Sequence, residues 1–497
     1  VPVGALQWLP GEGERVGAAL VADARVRGVM FTGSTEVARG LQAQLARRLN
    51  PDGQPVPLIA ETGGQNALIV DSSALAEQVV QDVMQSAFDS AGQRCSALRV
   101  LCLQDEVADR IIAMLKGAMD EAAIGNPVAL STDIGPVIDA EAQQAIERHI
   151  EAMRAAGYAV HQGARGLAAA QARGSFVPPT LIAIDRLDQL RREIFGPVLH
   201  VLRYRRGELQ ALIAQINATG YGLTAGVHTR IDETVARVTA QVQAGNLYVN
   251  RNLVGAVVGV QPFGGEGLSG TGPKAGGPLY LLRLLARKPA DAAWRAVAAL
   301  GEPVADDLKE IGPQRLSDGR EQLSKALQSA GLADADRRLA QLAATLPELR
   351  ARLLAGPTGE RNTYALHPRA RVLCLASDPA DRLTQLAAVL LAGGQAVWPA
   401  ETAADWERLP PEVRAQVALA ADWRAPQIQF DAALLHGEAW AVLAVGQALA
   451  ARPGPIVTLT ALPPGDAAIP LERLLTERSV SLNTTAAGGN ASLMTMG

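Results

Sequence analysis

Short apolar runs separated by helix-length segments constrain this chain more than any other feature. From about residue 370 the order is RVLCLA (371–376), a helical stretch at 379–392, QAVWPA (395–400), AALLH (432–436), a helical stretch at 437–451 and PIVTLTAL (455–462). Parallel neighbours cannot be joined by a tight turn, so strands alternating with helices predict a parallel sheet covered by helices. The first half has the same grammar. VRGVMF (26–31) reads as a buried strand, and Thr32-Gly33-Ser34-Thr35 opens a helix to about residue 48, with Thr35 and Glu36 in its first turn. Strand-like runs at 56–60 and 67–70, a helix at 74–90, a strand at 98–103 and helices at 105–122 and 140–156 follow. Glu193 to Val198 reads as a turn into a strand, 246–250 as a strand and 255–277 as a glycine-dense loop. Residues 291–355 are rich in Ala, Leu and Arg with helical periodicity. The predicted class is α/β.

At 497 residues and 48% hydrophobic, the chain is long enough for several structural units around a large core. A net charge of −4 gives no argument for nucleic acid or an anionic membrane surface. Cys95, Cys102 and Cys374 make no disulfide framework and fit no zinc spacing, and the six histidines show no ligand pairing. No metal site is predicted, and a reducing, cytoplasmic compartment is the simplest reading. The apolar stretches 386–398 and 432–450 are interrupted by Gly393-Gly394 or carry His436 and Glu438. They read as core elements, because a membrane span needs about 20 uninterrupted apolar residues. The chain opens at Val1 in structured-looking sequence without a signal peptide, and is read as a piece of something longer.

Two short runs carry chemistry. Ala91-Gly92-Gln93-Arg94-Cys95-Ser96 offers a thiol, and Glu61-Thr62-Gly63-Gly64-Gln65-Asn66 a carboxylate. A thiol attacks a carbonyl as the thiolate, so its pKa must be lowered by a cation or by amides. Arg94 is the adjacent cation, and a short loop leading into a helix is the expected source of amides. Glu61 would deprotonate the thiol or a later water. Taken singly, Cys95 reads as a buried structural thiol and Glu61 as a surface charge. Phe31-Thr32-Gly33-Ser34 suits a pyrophosphate at a helix start, yet taken alone it reads first as an ordinary strand–turn–helix cap. Gly11-Glu12-Gly13 with Gly17 departs from the G-x-G-x-x-G spacing. More telling is the order of FTGS at 31, ETGGQN at 61, GQRCS at 92, EIFGPV at 193 and PFGG at 262.

In that order and at those intervals, residues 1–287 resemble the aldehyde dehydrogenase family. ETGGQN (with Thr62 and Gln65 where the wider family more usually has Leu and Lys), GQRCSA and RNLVGAVVGVQPFGG (251–265) are similar to one subgroup. That subgroup oxidises glutamate γ-semialdehyde, the open form of Δ1-pyrroline-5-carboxylate. GPTGERNTYALHPRARVLCLA (356–376) and TTAAGGNASLMTMG (484–497) look like the C-terminal region of the long-form proline utilization A family. Its members are bifunctional bacterial enzymes of proline catabolism, with a flavin-dependent proline dehydrogenase half that would lie upstream.

The resemblance implies an aldehyde dehydrogenase catalytic domain with a truncated Rossmann-like NAD domain. It also implies a C-terminal α/β domain that is a degenerate, non-catalytic copy of the same fold. The expected divisions are 1–61 (remnant of the NAD domain), 62–250 (catalytic), 251–290 (anchor loop and return), 291–360 (helical connector) and 361–497 (C-terminal Rossmann-like domain with a Gly-rich terminal motif). In the C-terminal copy, Trp398 stands where the family has a ribose-binding Lys, and RSVSLNTT (478–485) echoes GNLYVNRN (245–252).

By the same resemblance Cys95 is the nucleophile, its amide serves the oxyanion, and Glu61 activates the hydrolytic water. Phe31, Thr32, Gly33 and Ser34 hold the pyrophosphate of NAD, Glu193 the nicotinamide ribose, and Phe195 lies beside the cofactor. Gly255 and Ala256, with Ser96 and Arg94, meet the substrate's charged end, while Phe88 and Phe263 flank its aliphatic part; Phe88 otherwise reads as a core residue. NAD is the cofactor, FAD belonging to the absent half. The partner is a small-molecule substrate, with no nucleic acid in this piece, membrane association only through the absent half, and a homo-oligomer left open. About 200 residues of a family member would precede Val1. They include the ribose-binding Lys and the Asn of the oxyanion hole, so this piece is expected to be inactive. The alternatives are a non-catalytic assembly or channelling module of the same enzyme, and a different aldehyde dehydrogenase with an appended domain. The terminal motif either helps close the active-site region or is a disordered tail.

Overall fold

The computed structural model describes residues 2–285, 287–304, 324, 325, 328, 333–345 and 350–485. One sheet of 11 strands runs through most of it. Its centre is built from Ala67–Val70 (ALIV) and Val100–Gln104 (VLCLQ), every residue of which is buried. Continuous apolar runs of this kind suit parallel strands covered on both faces. Thr224–His228 and Asn246–Val249 continue the sheet on one side of this centre, and Val198–Tyr204 and Thr180–Ile184 on the other, all in parallel register. The helices Ala76–Phe88 and Asp105–Glu121 cover it, turning Val79, Val83, Ile111, Leu115 and Met119 into the core.

Beyond Asn246–Val249 the sheet is completed from far along the chain. The closing strand, Leu475–Asn483, pairs in parallel with Asn246–Val249, with Asn246 opposite Ser479. That register joins residues 233 positions apart, the offset at which RSVSLNTT echoes GNLYVNRN; Asn483 Nδ2 donates to the carbonyl of Asn250 at 3.0 Å. On its other edge the closing strand pairs antiparallel with Glu360–Pro368 over nine residues. The C-terminal segment therefore does not stand apart from the catalytic sheet. Two of its strands extend that sheet, and Val480 and Leu482 enter the same core as Leu68 and Leu101.

The remainder of the C-terminal half forms a separate sheet of 5 strands. Its order is Val417–Ala420, Gln395–Pro399, Arg371–Ala376, Ala432–His436, Thr458–Leu462, with every pair parallel. Numbered along the chain this is 3-2-1-4-5, a Rossmann-like order. The expected α/β class, Rossmann-like C-terminal sheet included, is what the structure shows. At the other end, Val29–Thr32 and Leu58–Glu61 make a 2-stranded parallel sheet beside the helix Thr35–Leu45. The helix Ala439–Ala451 packs against Thr35–Leu45, and Arg39 Nη2 donates to the Arg452 carbonyl at 2.8 Å.

Element boundaries shift by a few residues. The strand expected at 26–31 is Val29–Thr32, and the helix expected at 74–90 ends at Phe88. The helical connector shows helices at Ala292–Ala298 and Ala333–Thr345 and a strand at Arg352–Leu354; most of 305–332 lies outside the described residues. So does 486–497, on which most of the terminal motif falls. No helix among the described residues is long and apolar enough to cross a membrane.

Candidate active site

The strand Leu58–Glu61 is anchored by its buried residues Leu58, Ile59 and Ala60, and it delivers Glu61 at its C-terminal end. Ligands of parallel sheets gather at such ends. The glycine-dense loop folds around this point. Thr271 Oγ1 accepts the amide of Ala60 at 3.0 Å, and Thr62 Oγ1 donates to the Leu268 carbonyl at 2.6 Å. The amide of Gly265 donates to Glu61 Oε2 at 3.1 Å, whereas Glu61 Oε1 is buried without a hydrogen-bond partner. A Cβ on Gly264 would lie 2.7 Å from that oxygen, so glycine is what lets the loop approach. Burial pushes the Glu61 carboxyl up to about 8; the Gly265 amide and the charge of Lys274 pull it down, and Glu477 adds to the rise.

Cys95 lies beyond the end of the helix Ala76–Phe88. Ser90, Ala91 and Gly92 all take left-handed backbone, with φ of 56, 53 and 65. For the two non-glycine residues this costs about 1–2 kcal/mol each. Two buried side chains hold the strained turn and the loop after it. Arg99 Nη1 donates to the carbonyls of Gly92 (2.7 Å) and Gly196 (3.2 Å), and its Nη2 to that of Arg94 (3.1 Å). Asn66 Nδ2 donates to the carbonyls of Cys95 (2.7 Å) and Ala97 (2.8 Å), while its Oδ1 accepts the amide of Thr224 at 3.1 Å.

The thiol itself is half-buried. Burial pushes it up, and the charges of Glu61 and Glu193 push it further; the amides of Ser96 and Cys95 pull it down. This corrects the expectation for Arg94. Its side chain is exposed and its Nε donates to Ser90 Oγ at 3.0 Å, so the lowering influence comes from backbone amides. The loop also leads into the strand Val100–Gln104 rather than into a helix. Glu61 and Glu193 thus stand within electrostatic reach of the Cys95 sulfur, and both favour its protonated form.

Glu193 is gripped by Arg99, whose Nε and Nη2 donate to Oε1 at 3.1 and 2.9 Å. Its Oε2 faces Gly63, where a Cβ would come within 2.0 Å. The ring of Phe195 is 45% exposed and lies 5.1 Å from the Arg99 guanidinium. Thr32 pairs with Glu61 across the small sheet, and the Gly33 amide donates to the Glu61 carbonyl at 3.1 Å. The FTGS run thus adjoins the main chain of Glu61. Thr32, Gly33 and Ser34 are exposed, Phe31 is half-buried, and Ser34 Oγ caps the helix through the amide of Val37 at 3.2 Å. The amides that precede Val37 remain at an open helix end, which suits an anion.

The residues expected around the substrate are spread more widely. Gly255 is exposed with φ 88, and Ala256 is half-buried. The root of their loop is tied to the helix before Cys95, because the Leu253 amide donates to Ser86 Oγ at 3.0 Å. Phe263 is half-buried and pairs in both directions with Ala275. Ser96 is buried, its carbonyl accepting Thr224 Oγ1 at 3.4 Å. Phe88 differs from its expected place beside the substrate. It is 1% exposed and packed in the main core, because the last turn of its helix faces the sheet.

Sequence reasoning missed Asn66, Arg99, Lys274, Glu477 and Tyr364. Asn66 closes the ETGGQN run and Lys274 is one of few lysines, so both were visible without a role. Glu477 and Tyr364 reach the site only through strand pairing.

A family model described as "Aldehyde dehydrogenase family" matches residues 1–288. The chain is 57% identical to the bifunctional protein PutA of Escherichia coli over 504 residues, covering 100% of this chain and 38% of that protein. It is 36% identical to 1-pyrroline-5-carboxylate dehydrogenase of Geobacillus kaustophilus over 57% of this chain and 54% of that one. Among solved structures, a bifunctional proline utilization A (PutA) protein aligns with TM-score 0.54 and 53% identity, over 57% of this chain and 28% of the other. A 1-pyrroline-5-carboxylate dehydrogenase from Thermus with bound NAD aligns with TM-score 0.50 and 35% identity, over 56% and 53%. The chain thus spans well under half the length of its PutA relatives. With the family model matched over more than half of its residues, the chain belongs to the aldehyde dehydrogenase family.

Proposed function

We propose that this chain carries the semialdehyde-oxidising site of a bifunctional proline-catabolic enzyme. At that site glutamate γ-semialdehyde becomes glutamate with NAD as oxidant. The observation that carries the reading is the pairing of a half-buried thiol with a buried carboxylate that burial pushes up to about 8. A carboxylate so raised is a competent base near neutral pH. The names of the relatives, PutA and 1-pyrroline-5-carboxylate dehydrogenase, support the substrate.

Glu61 takes the thiol proton of Cys95, and the thiolate sulfur bonds to the aldehyde carbon. The amides of Cys95 and Ser96, which already face the sulfur, are placed to meet the developing oxyanion. NAD held there would supply the hydride acceptor, and loss of hydride from that carbon would leave a thioester on Cys95. Glu61, once it has released the first proton to solvent, takes a proton from water as the water oxygen attacks the thioester; the acid product loses its remaining proton to solvent and leaves as carboxylate, with Cys95 restored as thiolate. The NAD fit rests on the open helix end at Thr32, Gly33 and Ser34, with Phe31 behind it, and on the Glu193 carboxylate held against Gly63. Phe195 offers an exposed ring at the same place. Gly255 and Ala256 are assigned to the substrate carboxylate and Phe263 to its aliphatic part.

The test uses protein of PutA length. Cys95→Ala is expected to abolish semialdehyde-dependent NADH formation, by roughly a thousandfold or more. Glu61→Gln is expected to slow the NADH burst and to slow steady turnover further still, because Glu61 serves as base in both steps. Full turnover in Cys95→Ala would sink the assignment.

A second reading, of the 5-stranded sheet as a structural module, has its own observation. Its strand order is that of a dinucleotide site, yet acids occupy the helix start at the switch point. Asp378 caps the amides of Ala380 (2.7 Å) and Asp381 (3.3 Å), and both oxygens of Asp381 take the amide of Gly465, at 3.1 and 3.0 Å. A pyrophosphate would meet negative charge there. Trp398 is fully buried.

A further inference from the structure

Lys274 is 2% exposed and lies in the loop that wraps Glu61. Its Nζ donates to the Gly245 carbonyl (2.5 Å), Asn246 Oδ1 (2.6 Å) and the Pro262 carbonyl (3.3 Å). Three oxygens around three N–H bonds suit an ammonium; burial lowers this amine to about 7, and the facing charges of Glu477, Glu61 and Glu266 favour its protonated form. Asn246 grips the same turn, donating to the Pro262 carbonyl at 3.0 Å and accepting the Gly264 amide at 3.2 Å. Gly264 separates the lysine from the carboxylate. A Cβ there would lie 2.7 Å from Glu61 Oε1 and 3.1 Å from the Cα of Lys274, so one thickness of backbone stands between them.

From the opposite side the lysine is held by the closing strand. Glu477 is 7% exposed; its Oε2 accepts the main-chain amide of Lys274 at 2.7 Å, and its Oε1 accepts the Tyr364 hydroxyl at 2.8 Å. Tyr364 lies on the partner strand Glu360–Pro368. A chain of contacts thus runs from the C-terminal half through Lys274 and the Gly264-Gly265 turn to the carboxylate of Glu61.

We propose that the closing strand reaches into the dehydrogenase site, where Glu477 and Lys274 act as positioning residues that hold the Glu61 carboxylate and set its charge. This rests on the reading of Glu61 as the hydrolytic base. The two residues act with opposite sign. The lysine charge favours an ionised Glu61 and the Glu477 charge opposes it. The other titratable groups facing this cluster are Cys95 and Tyr280 toward Glu61, Glu266 and Arg478 toward Lys274, and Arg369 toward Glu477.

The experiment is rapid-mixing kinetics in protein of PutA length, with glutamate γ-semialdehyde and NAD. The NADH burst reports thioester formation, and the post-burst rate, followed against pH, reports its hydrolysis. Lys274→Met is expected to move the acid limb of the hydrolysis profile to higher pH by about one unit. Glu477→Gln, which keeps an acceptor for the Lys274 amide and a partner for Tyr364, is expected to move it to lower pH. Acid limbs that stay in place, or that move in the same direction, with intact bursts, overturn the proposal. Should Lys274→Met fail to fold, the near-isosteric Glu477→Gln decides by itself. Absence of any burst in the unsubstituted enzyme would instead overturn the reading of Cys95 and Glu61, and this proposal with it.

Discussion

Glu61 keeps its proton to a higher pH than an exposed glutamate, and that has a consequence for stability as well as chemistry. In the folded chain its carboxyl is pushed up to about 8 by burial, from an ordinary value of 4.5. Between those values the folded state binds the extra proton, so stability from this group is full below the lower value and is lost as pH rises through the upper one. Glu61→Gln cannot ionise, and is expected to flatten that decline in denaturant midpoints measured from about pH 5 to about pH 9. An unchanged slope would mean that other buried groups dominate it. Cys95 and Glu61, the nucleophile and base of the proposed reading, stand out in their motifs because such roles depend on residue type. The tuning could not, because it depends on what touches them. Arg94, adjacent in sequence, points away to Ser90, while Glu193, 98 positions on from Cys95, is among the groups that raise the thiol. Asn66 and Arg99 belong to the same class: their work is to hold main-chain carbonyls, and no side-chain pattern in a sequence announces that.

At the scale of elements, the strands legible in the sequence were those with apolar runs. Ala67–Val70, Arg371–Ala376 and Ala432–His436 stand within a residue or so of their expected places. Glu360–Pro368 and the closing strand were not recognised as sheet. Their residues, ERNTYALHP and LTERSVSLN, are largely polar, yet most are buried. Buried polar side chains fit there where they find partners, as Glu477 has Tyr364 and Ser479 Oγ has the Pro262 carbonyl at 3.0 Å. A strand flanked on both sides tolerates no proline, since its amides are needed by the ladder. Val480 sits opposite both Leu247 and Thr363. Val480→Pro is therefore expected to cost about 3 kcal/mol or more in denaturant unfolding. A cost below about 1 kcal/mol would show that the closing strand adds little to the sheet.

At the scale of the molecule, the C-terminal half completes the catalytic sheet and also bears against the small sheet that carries Glu61. A chain cut after residue 360 would leave Asn246–Val249 as an open parallel edge, and such edges recruit other chains. The cut protein is expected to elute as aggregate in size-exclusion chromatography where the whole chain does not; a well-behaved monomer would count against the role given to the closing strand. The pairing of Asn250 with Asn483 spans 233 positions. Contacts of that separation form late, because the intervening chain must be ordered first. At ordinary translation speeds, residue 483 leaves the ribosome roughly 10–50 s after residue 250. For that interval Cys95 and Glu61 already exist on the nascent chain, but Glu477 does not. On the proposed reading the site therefore stays unfinished during synthesis, and a prematurely terminated product carries Cys95 without the strand that braces Glu61.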